Sequence, residues 1–322
     1  MRAAAALVAA ALCACAAAGA QDYPAKPVRV IVGFAPGGPA DLVVRPVAQK
    51  LHEFYGQPMV IDYRAGANGV IATEIVGKSP PDGYTLLATT SGFSMNPVTY
   101  ARLPFDTLKD FAPVSLTASS DIAFMVNPVV PAKTVKEFIA IAKSRQGRNA
   151  PMTYASSGNG GTLHLGAEML KLASGIEMLH VPYKGASLAM ADVIGGHVDV
   201  MFISVPPAIP QVKAGKLRAL GTASPKRARG LPDVPTFNEL GYADFEVDAK
   251  YGLVAPAGTP REILNKLSSG VAKAAQSADL KERYAMLGLD PMSSTPEQYS
   301  EYVRQAIARW RKVVAAAKIV PQ

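Results

Sequence analysis

Cysteine is nearly missing from this chain: it has two, Cys13 and Cys15, both inside an alanine-rich N-terminal run. Everything after that run is therefore without disulfides and without a cysteine nucleophile. No later segment is long and uncharged enough for a membrane-spanning helix, which needs ~20 apolar residues. Internal repeats and low-complexity stretches are also lacking. Nucleotide fingerprints fail on inspection. Gly158 and Gly160 fit a dinucleotide loop, but Leu163 stands where its third glycine belongs, and the turn at 33–41 lacks the Gly-Lys-Ser/Thr ending of a P-loop. No Gly-x-Ser-x-Gly elbow occurs, and Thr90-Ser91-Gly92-Phe93-Ser94 does not supply one. An exported hydrolase remains only as a remote enzyme alternative.

What the N-terminus does contain is Arg2, an apolar alanine-rich stretch and the small residues Ala18-Gly19-Ala20. This pattern reads as a secretory signal peptide over residues 1–20, which predicts a soluble, periplasmic mature protein. Processing within Leu12-Cys13-Ala14-Cys15 would instead leave Cys15 as a lipid anchor. The composition is globular, with 49% hydrophobic and 18% charged residues, and the length implies two domains of ordinary size. The net charge of +8 suits anionic partners, but its basic residues are scattered and form no nucleic-acid motif. Lys226-Arg227-Ala228-Arg229 and the group Arg304, Arg309, Arg311 and Lys312 read as solvated faces.

Strand-like and helix-like runs alternate along the chain. Strands are expected at 28–32, 59–63, 84–89, 123–126, 153–155, 178–181, 198–203 and 217–222, and helices at 40–54, 70–78, 135–145, 162–173 and 186–194. Thr134 and Thr162 are the candidate N-caps for two of these. Such a rhythm predicts an α/β fold with parallel sheets covered by helices and ligands bound beyond the strands' carboxyl ends. Beyond residue 258 the pattern becomes helical (261–287 and 296–317), which fits a tail packed on the first domain. Crossings at 114–126 and 224–246 divide the chain into domain 1 (21–122 plus 225–322) and domain 2 (123–224). Two lobes joined in this way can capture a ligand by hinge closure.

Two glycine-rich turns each join a strand to a helix. The first is Phe34-Ala35-Pro36-Gly37-Gly38, with Asp41 just inside the helix, and the second is Ser156-Ser157-Gly158-Asn159-Gly160-Gly161-Thr162, followed by His164. Glycine lets backbone approach a ligand, and the unpaired N–H groups of a helix start attract a carboxylate or phosphate. The pair reads as two anion-binding jaws. Plainer roles compete with this: a simple turn at Gly37 and Gly38, dipole stabilisation by Asp41, and a surface role for Arg45. His164 and Glu168 lie one helical turn apart, but no third ligand is signalled, so no metal and no cofactor are expected. His52, His180 and His197 read as structural or exposed, and Tyr183 and Lys184 as cleft rim or turn.

Several blocks in fixed order then match a known family. They include Phe34-Ala35-Pro36-Gly37-Gly38 with Asp41 and Arg45, Pro81-Asp82-Gly83-Tyr84-Thr85-Leu86-Leu87, His180-Val181-Pro182-Tyr183-Lys184-Gly185, Leu231-Pro232-Asp233-Val234-Pro235-Thr236 and Ala255-Pro256-Ala257-Gly258-Thr259-Pro260. From residue 23 to beyond Trp310 the chain resembles the Bug receptors, the solute-binding proteins of tripartite tricarboxylate transporters. That resemblance implies a two-lobed periplasmic binding-protein fold of type II-like architecture, no enzymatic activity and a small carboxylate ligand. It further implies membrane permease subunits as partners and a monomeric receptor. An alternative is a sensor that presents its bound state to a sensor kinase.

The resemblance also implies site residues. Phe34 to Gly38 would meet one end of the ligand, and Ser156 to Thr162 with His164 would hold a carboxylate. Ser91 and Gly92 would line a third loop, and Ser204 would be a fourth contact. The family often has an acidic residue where Ile203 stands and usually a Trp near Lys250-Tyr251. Loss of that acid argues against an ammonium-bearing ligand and for a mono-, di- or aromatic carboxylate.

Overall fold

The computed structural model describes residues 23–243, 245–247, 249–316 and 319–321. The expected leader over 1–20, with Cys13 and Cys15, lies outside the described residues. Among the described residues eleven strands follow in chain order: β1 (Val28–Val32), β2 (Met59–Tyr63), β3 (Thr85–Thr89), β4 (Phe111–Ser120), β5 (Ile122–Val126), β6 (Met152–Ser156), β7 (Met178–Pro182), β8 (Val200–Ser204), β9 (Arg218–Thr222), β10 (Ala249–Pro256) and β11 (Leu289–Pro291). They form one sheet of order β11-β4-β10-β3-β1-β2 and another of order β7-β6-β8-β5-β9. Val28, Val30, Ile31 and Val32 are all buried, which places helices on both faces of β1.

The sheets are mixed, not parallel throughout as the alternation implied. β1 runs parallel to β2 and β3, and β6 to β7 and β8, but β10 is antiparallel to β3 and β4, and β5 to β8 and β9. The cause is the passage between lobes. A strand that carries the chain out of one sheet or back into it enters without a crossover helix, so it is free to run against its neighbours. Asp121 alone separates β4 from β5. On the return, Val247 N–H donates to Ala223 O at 2.8 Å, and Phe237 and Phe245 stack near Phe202 of the second sheet.

The tail packs on the first sheet as expected. Tyr284 donates its hydroxyl to Val43 O at 2.7 Å, Tyr299 shares a 2.6 Å hydrogen bond with Thr89, and Trp310 is buried. Instead of one helix over 261–287 there are two, Arg261–Gln276 and Ala278–Leu287. Ser277 adopts an extended conformation between them (φ −66°, ψ 139°), with its hydroxyl donating to Ala274 O at 2.7 Å. Serine competes for backbone partners in this way and so interrupts helices.

Candidate functional site

In the first lobe, β1 turns at Phe34 to Gly38 into the helix Pro39–Tyr55. Gly38 is the extended N-cap (φ −81°), and proline at the next position gives up only an N–H that no helix start can use. Phe34, Ala35 and Gly38 line an interlobe cavity together with Pro39 and Ala40. Pro36 and Gly37 are exposed at its rim and do not line it. Asp41 does not line it either. Its carboxylate accepts the Gly37 N–H at 2.9 Å, the Tyr63 hydroxyl and Arg45 Nε at 2.7 Å. Burial alone would raise this carboxyl, but the hydrogen bonds from Tyr63, Gly37 and Arg45 outweigh it and hold it below the usual range. Asp41 thus clamps the turn from behind. After β3, Thr90 and Ser91 reach the cavity, and Ser91 Oγ accepts the Lys250 N–H at 2.9 Å. Gly92 lies beneath them against Asn68 and does not line the cavity.

In the second lobe, β6 leads through 156–161 into the helix Thr162–Ser174. Ser156 is buried inside this loop and away from the cavity. Its Oγ accepts the Gly158 N–H at 3.2 Å and lies 2.6 Å from His180 Nε2. The Gly160 N–H donates to His164 Nδ1 at 2.9 Å, so that amide turns inward instead of offering itself to an anion. His164 is itself buried and stacked on His180. Ser157, Thr162 and Leu163 do line the cavity, whereas Ser156, Gly158, Asn159, Gly160, Gly161 and His164 do not. The N-cap is Gly161, not Thr162, whose Oγ1 instead donates to Met95 Sδ of the opposite lobe at 3.2 Å. Thr134 caps its helix as expected, accepting the Glu137 N–H at 3.1 Å.

The cavity holds about 50 Å³ between the lobes and is completed by Ile122, Ala186, Ser204, Ala249 and Tyr251. That is roughly the room of a few water molecules, the scale of a carboxylate on a short chain. The helix start at Val205 donates its N–H to Asp121 O at 2.9 Å and continues with two prolines, and the Gly92 N–H donates to Thr90 Oγ1 at 3.2 Å, so the starts left to serve the cavity are those at Pro39, Thr162 and Ala186. Their first N–H groups have no partner within the helix and carry the positive end of its dipole. Among the described residues that line the cavity there is no Asp, Glu, Lys, Arg or His. Hydroxyls complete the polar set. Ser204 Oγ lies 3.0 Å from the hydroxyl of Tyr251, which burial pushes up to about 12 and thus keeps protonated. Among the described residues no three potential ligands gather at a metal site.

Asn68 is the main residue that sequence reasoning missed. It lines the cavity, adopts a left-handed conformation (φ 50°, ψ 36°) and donates Nδ2 to Asn96 Oδ1 at 2.8 Å. Gly66-Ala67-Asn68-Gly69 follows a strand and precedes a helix, as the other two turns do, and Asn-Gly is itself a turn signal. Ala249 was hidden because β10 carries no alternation to reveal it, while Tyr251 stands where the family resemblance points to a Trp.

The TctC family, Tripartite tricarboxylate transporter family receptor, matches residues 43–319. Protein BugT of Bordetella pertussis is 36% identical over 301 residues, 92% of this chain and 90% of that protein. Among solved structures, R. palustris Rpa4515 with adipate shares 34% identity at a TM-score of 0.89, covering 94% of this chain and 100% of that one. MatC (Rpa3494) from Rhodopseudomonas palustris with bound malate shares 31% identity at a TM-score of 0.84, covering 91% and 100%.

Proposed function

This chain belongs to the tripartite tricarboxylate transporter receptor family, a family of binding proteins rather than enzymes, and from that premise we propose that it captures a small carboxylate in the periplasm. The observation that carries this reading is the chemistry of the cavity: helix starts and hydroxyls converge on it, with no charged side chain among its lining residues. Backbone dipoles and hydroxyls hold an anion without a buried cation, so the ligand can leave when the lobes part. The same lining offers no carboxylate to an ammonium group. This favours an unsubstituted mono- or dicarboxylate over an amino acid. The adipate of one R. palustris relative fits that class, and the malate of the other departs from it by a hydroxyl, not by an ammonium group.

The work of the molecule is lobe closure. A ligand stabilises the closed state only by binding it better than the open one. The hinges would be the single-residue passage at Asp121 and the return crossing at 224–246, which divide domain 2 (123–224) from the rest. We assign the chain, as an exported monomer, to the permease subunits of a tripartite uptake system, which would take the ligand from the closed form. A thermal-shift screen of the mature protein against carboxylates, aromatic acids and amino acids tests the ligand class. A carboxylate at a hundredfold excess over its Kd should add ~2.7 kcal/mol of stability. A larger shift with aspartate or glutamate would reverse the assignment.

A further inference from the structure

Beneath the second loop three rings are stacked. Tyr154 and His180 lie 4.7 Å apart with 10° between planes, and His180 and His164 lie 4.2 Å apart with 7°. His164 is the third residue of the helix whose N-cap is Gly161, and its Nδ1 reaches back to the N–H of Gly160, just before that cap. This is one half of a capping box moved back by one residue: in the box the third helical residue, ordinarily Glu or Gln, returns to the N–H of the N-cap itself, whereas His164 returns to the residue before it, and Gly161 has no side chain to reciprocate. An imidazole that accepts at Nδ1 is uncharged and keeps its proton on Nε2. That nitrogen lies 3.9 Å from Glu168 Oε1, too far for a hydrogen bond; the oxygen accepts from the Tyr154 hydroxyl at 2.6 Å and from Lys171 at 3.0 Å.

Resting on the receptor reading above, we propose that His164 is a positioning residue, an uncharged cap that fixes the anion loop without lending it a charge. A Glu in its place would make the same back-bond, but it would set a negative charge one turn from the amides of Thr162 and Leu163. That charge would occupy the positive end of the helix which the ligand is to use. The imidazole closes the turn, removes the Gly160 amide from competition and leaves the helix start electropositive. The titratable groups facing it are His180, Glu168 and Lys171. Burial lowers the basicity of both histidines, His180 to about 3, and for His164 it outweighs the opposing pull of Glu168, so both stay neutral at physiological pH.

Three substitutions separate this role from a merely structural one. Asn places its carbonyl oxygen close to where His carries Nδ1, Phe keeps the ring and the stack without an acceptor, and Glu restores the back-bond with a charge. With malate and adipate as probes, His164→Asn should keep the affinity within about threefold, and His164→Phe should lose about tenfold. His164→Glu, whose carboxylate would be buried beside Glu168, should melt below the wild type and, measured where it is folded, lose more than tenfold in affinity. Amide exchange followed by NMR supplies a readout that needs no ligand. The Gly160 N–H should be protected in the wild type, His164→Asn and His164→Glu, and exposed in His164→Phe. Wild-type affinity in His164→Glu, or a Gly160 amide that exchanges freely in the wild type, would overturn the proposal. If the wild type binds neither probe, the carboxylate reading is what fails, and Gly160 exchange still decides whether His164 holds the loop.

Discussion

Gly160 of one lobe meets Thr99 of the other so closely that a Cβ on the glycine would stand 2.5 Å from the threonine Cβ. Beside it, a Cβ on Gly161 would stand 2.6 Å from Asn68 Oδ1. The glycines of the second loop therefore serve the approach of the opposing lobe as much as the approach of a ligand. Gly160 has φ +70°, so a side chain there would also strain the backbone. Gly161 has φ −85°, which any residue adopts, so its substitution isolates the contact between lobes.

Gly161→Val should hinder closure and weaken ligand binding by about 2 kcal/mol, ~30-fold, while the unliganded melting temperature stays near that of the wild type. Asn68→Gly in the same chain should recover part of the loss. Titration calorimetry gives the affinity, and small-angle scattering at saturating ligand gives the shape. A variant that binds and closes normally would remove this seam from the closing mechanism.

Ser204 and Tyr251 share a hydrogen bond inside the cavity. Removing one partner leaves a buried hydroxyl unsatisfied, whereas removing both does not. Tyr251→Phe should cost ~1–2 kcal/mol in binding, and the double change with Ser204→Ala should cost less than the two single changes added. A four-protein cycle with no coupling would show that the pair does not act together.

Asp41 titrates lower in the folded chain than in the unfolded one. Its contribution is therefore complete above the ordinary carboxyl range and is lost as pH falls through the depressed folded value. Asp41→Asn should melt earlier than the wild type at pH 7, and the gap should close in strongly acidic solution, below about pH 4. Melting curves for both proteins across that range check it. A gap that persists in acid would mean that Asp41 acts through something other than its charge.

Binding itself should be nearly flat with pH through neutrality. Tyr251 is the cavity's ionisable group and stays protonated, and the two histidines behind the loop stay neutral. The site selects the anionic form of the ligand, so affinity should fall as the ligand's own carboxyl protonates, near pH 4 for an ordinary one. Calorimetry at several pH values would expose the opposite trend, tighter binding in acid, which this lining cannot produce.

The fold was readable where apolar residues keep a period. β1, β2 and the helices after both glycine turns stand where their patterns place them, because those elements bury one stripe or two faces. β4, β10 and β11 were not, since β4 and β10 are buried along nearly all of their length and show no alternation, and β11 is three residues long. The jaws were legible as turns, and Phe34, Ala35, Gly38, Ser91, Ser157, Thr162 and Ser204 do meet at the cavity. What sequence could not reveal is which way each group faces. Asp41, Ser156, Gly160 and His164 share the motif with those residues but spend their polar atoms on holding the loops.

The lobes also touch directly, through Thr162 on Met95 and Ser204 on Tyr251 as well as along the glycine seam. On the closing mechanism proposed above, each such contact would make closing easier and so sharpen capture from dilute solution. The same free energy favours the closed shape in vacant receptors, by about fivefold for each kcal/mol. A membrane partner that recognises shape would then be engaged by molecules carrying nothing. The width of the seam would consequently set an exchange between sensitivity and background, and Gly158, Gly160 and Gly161 keep that seam narrow without a side chain to wedge it open.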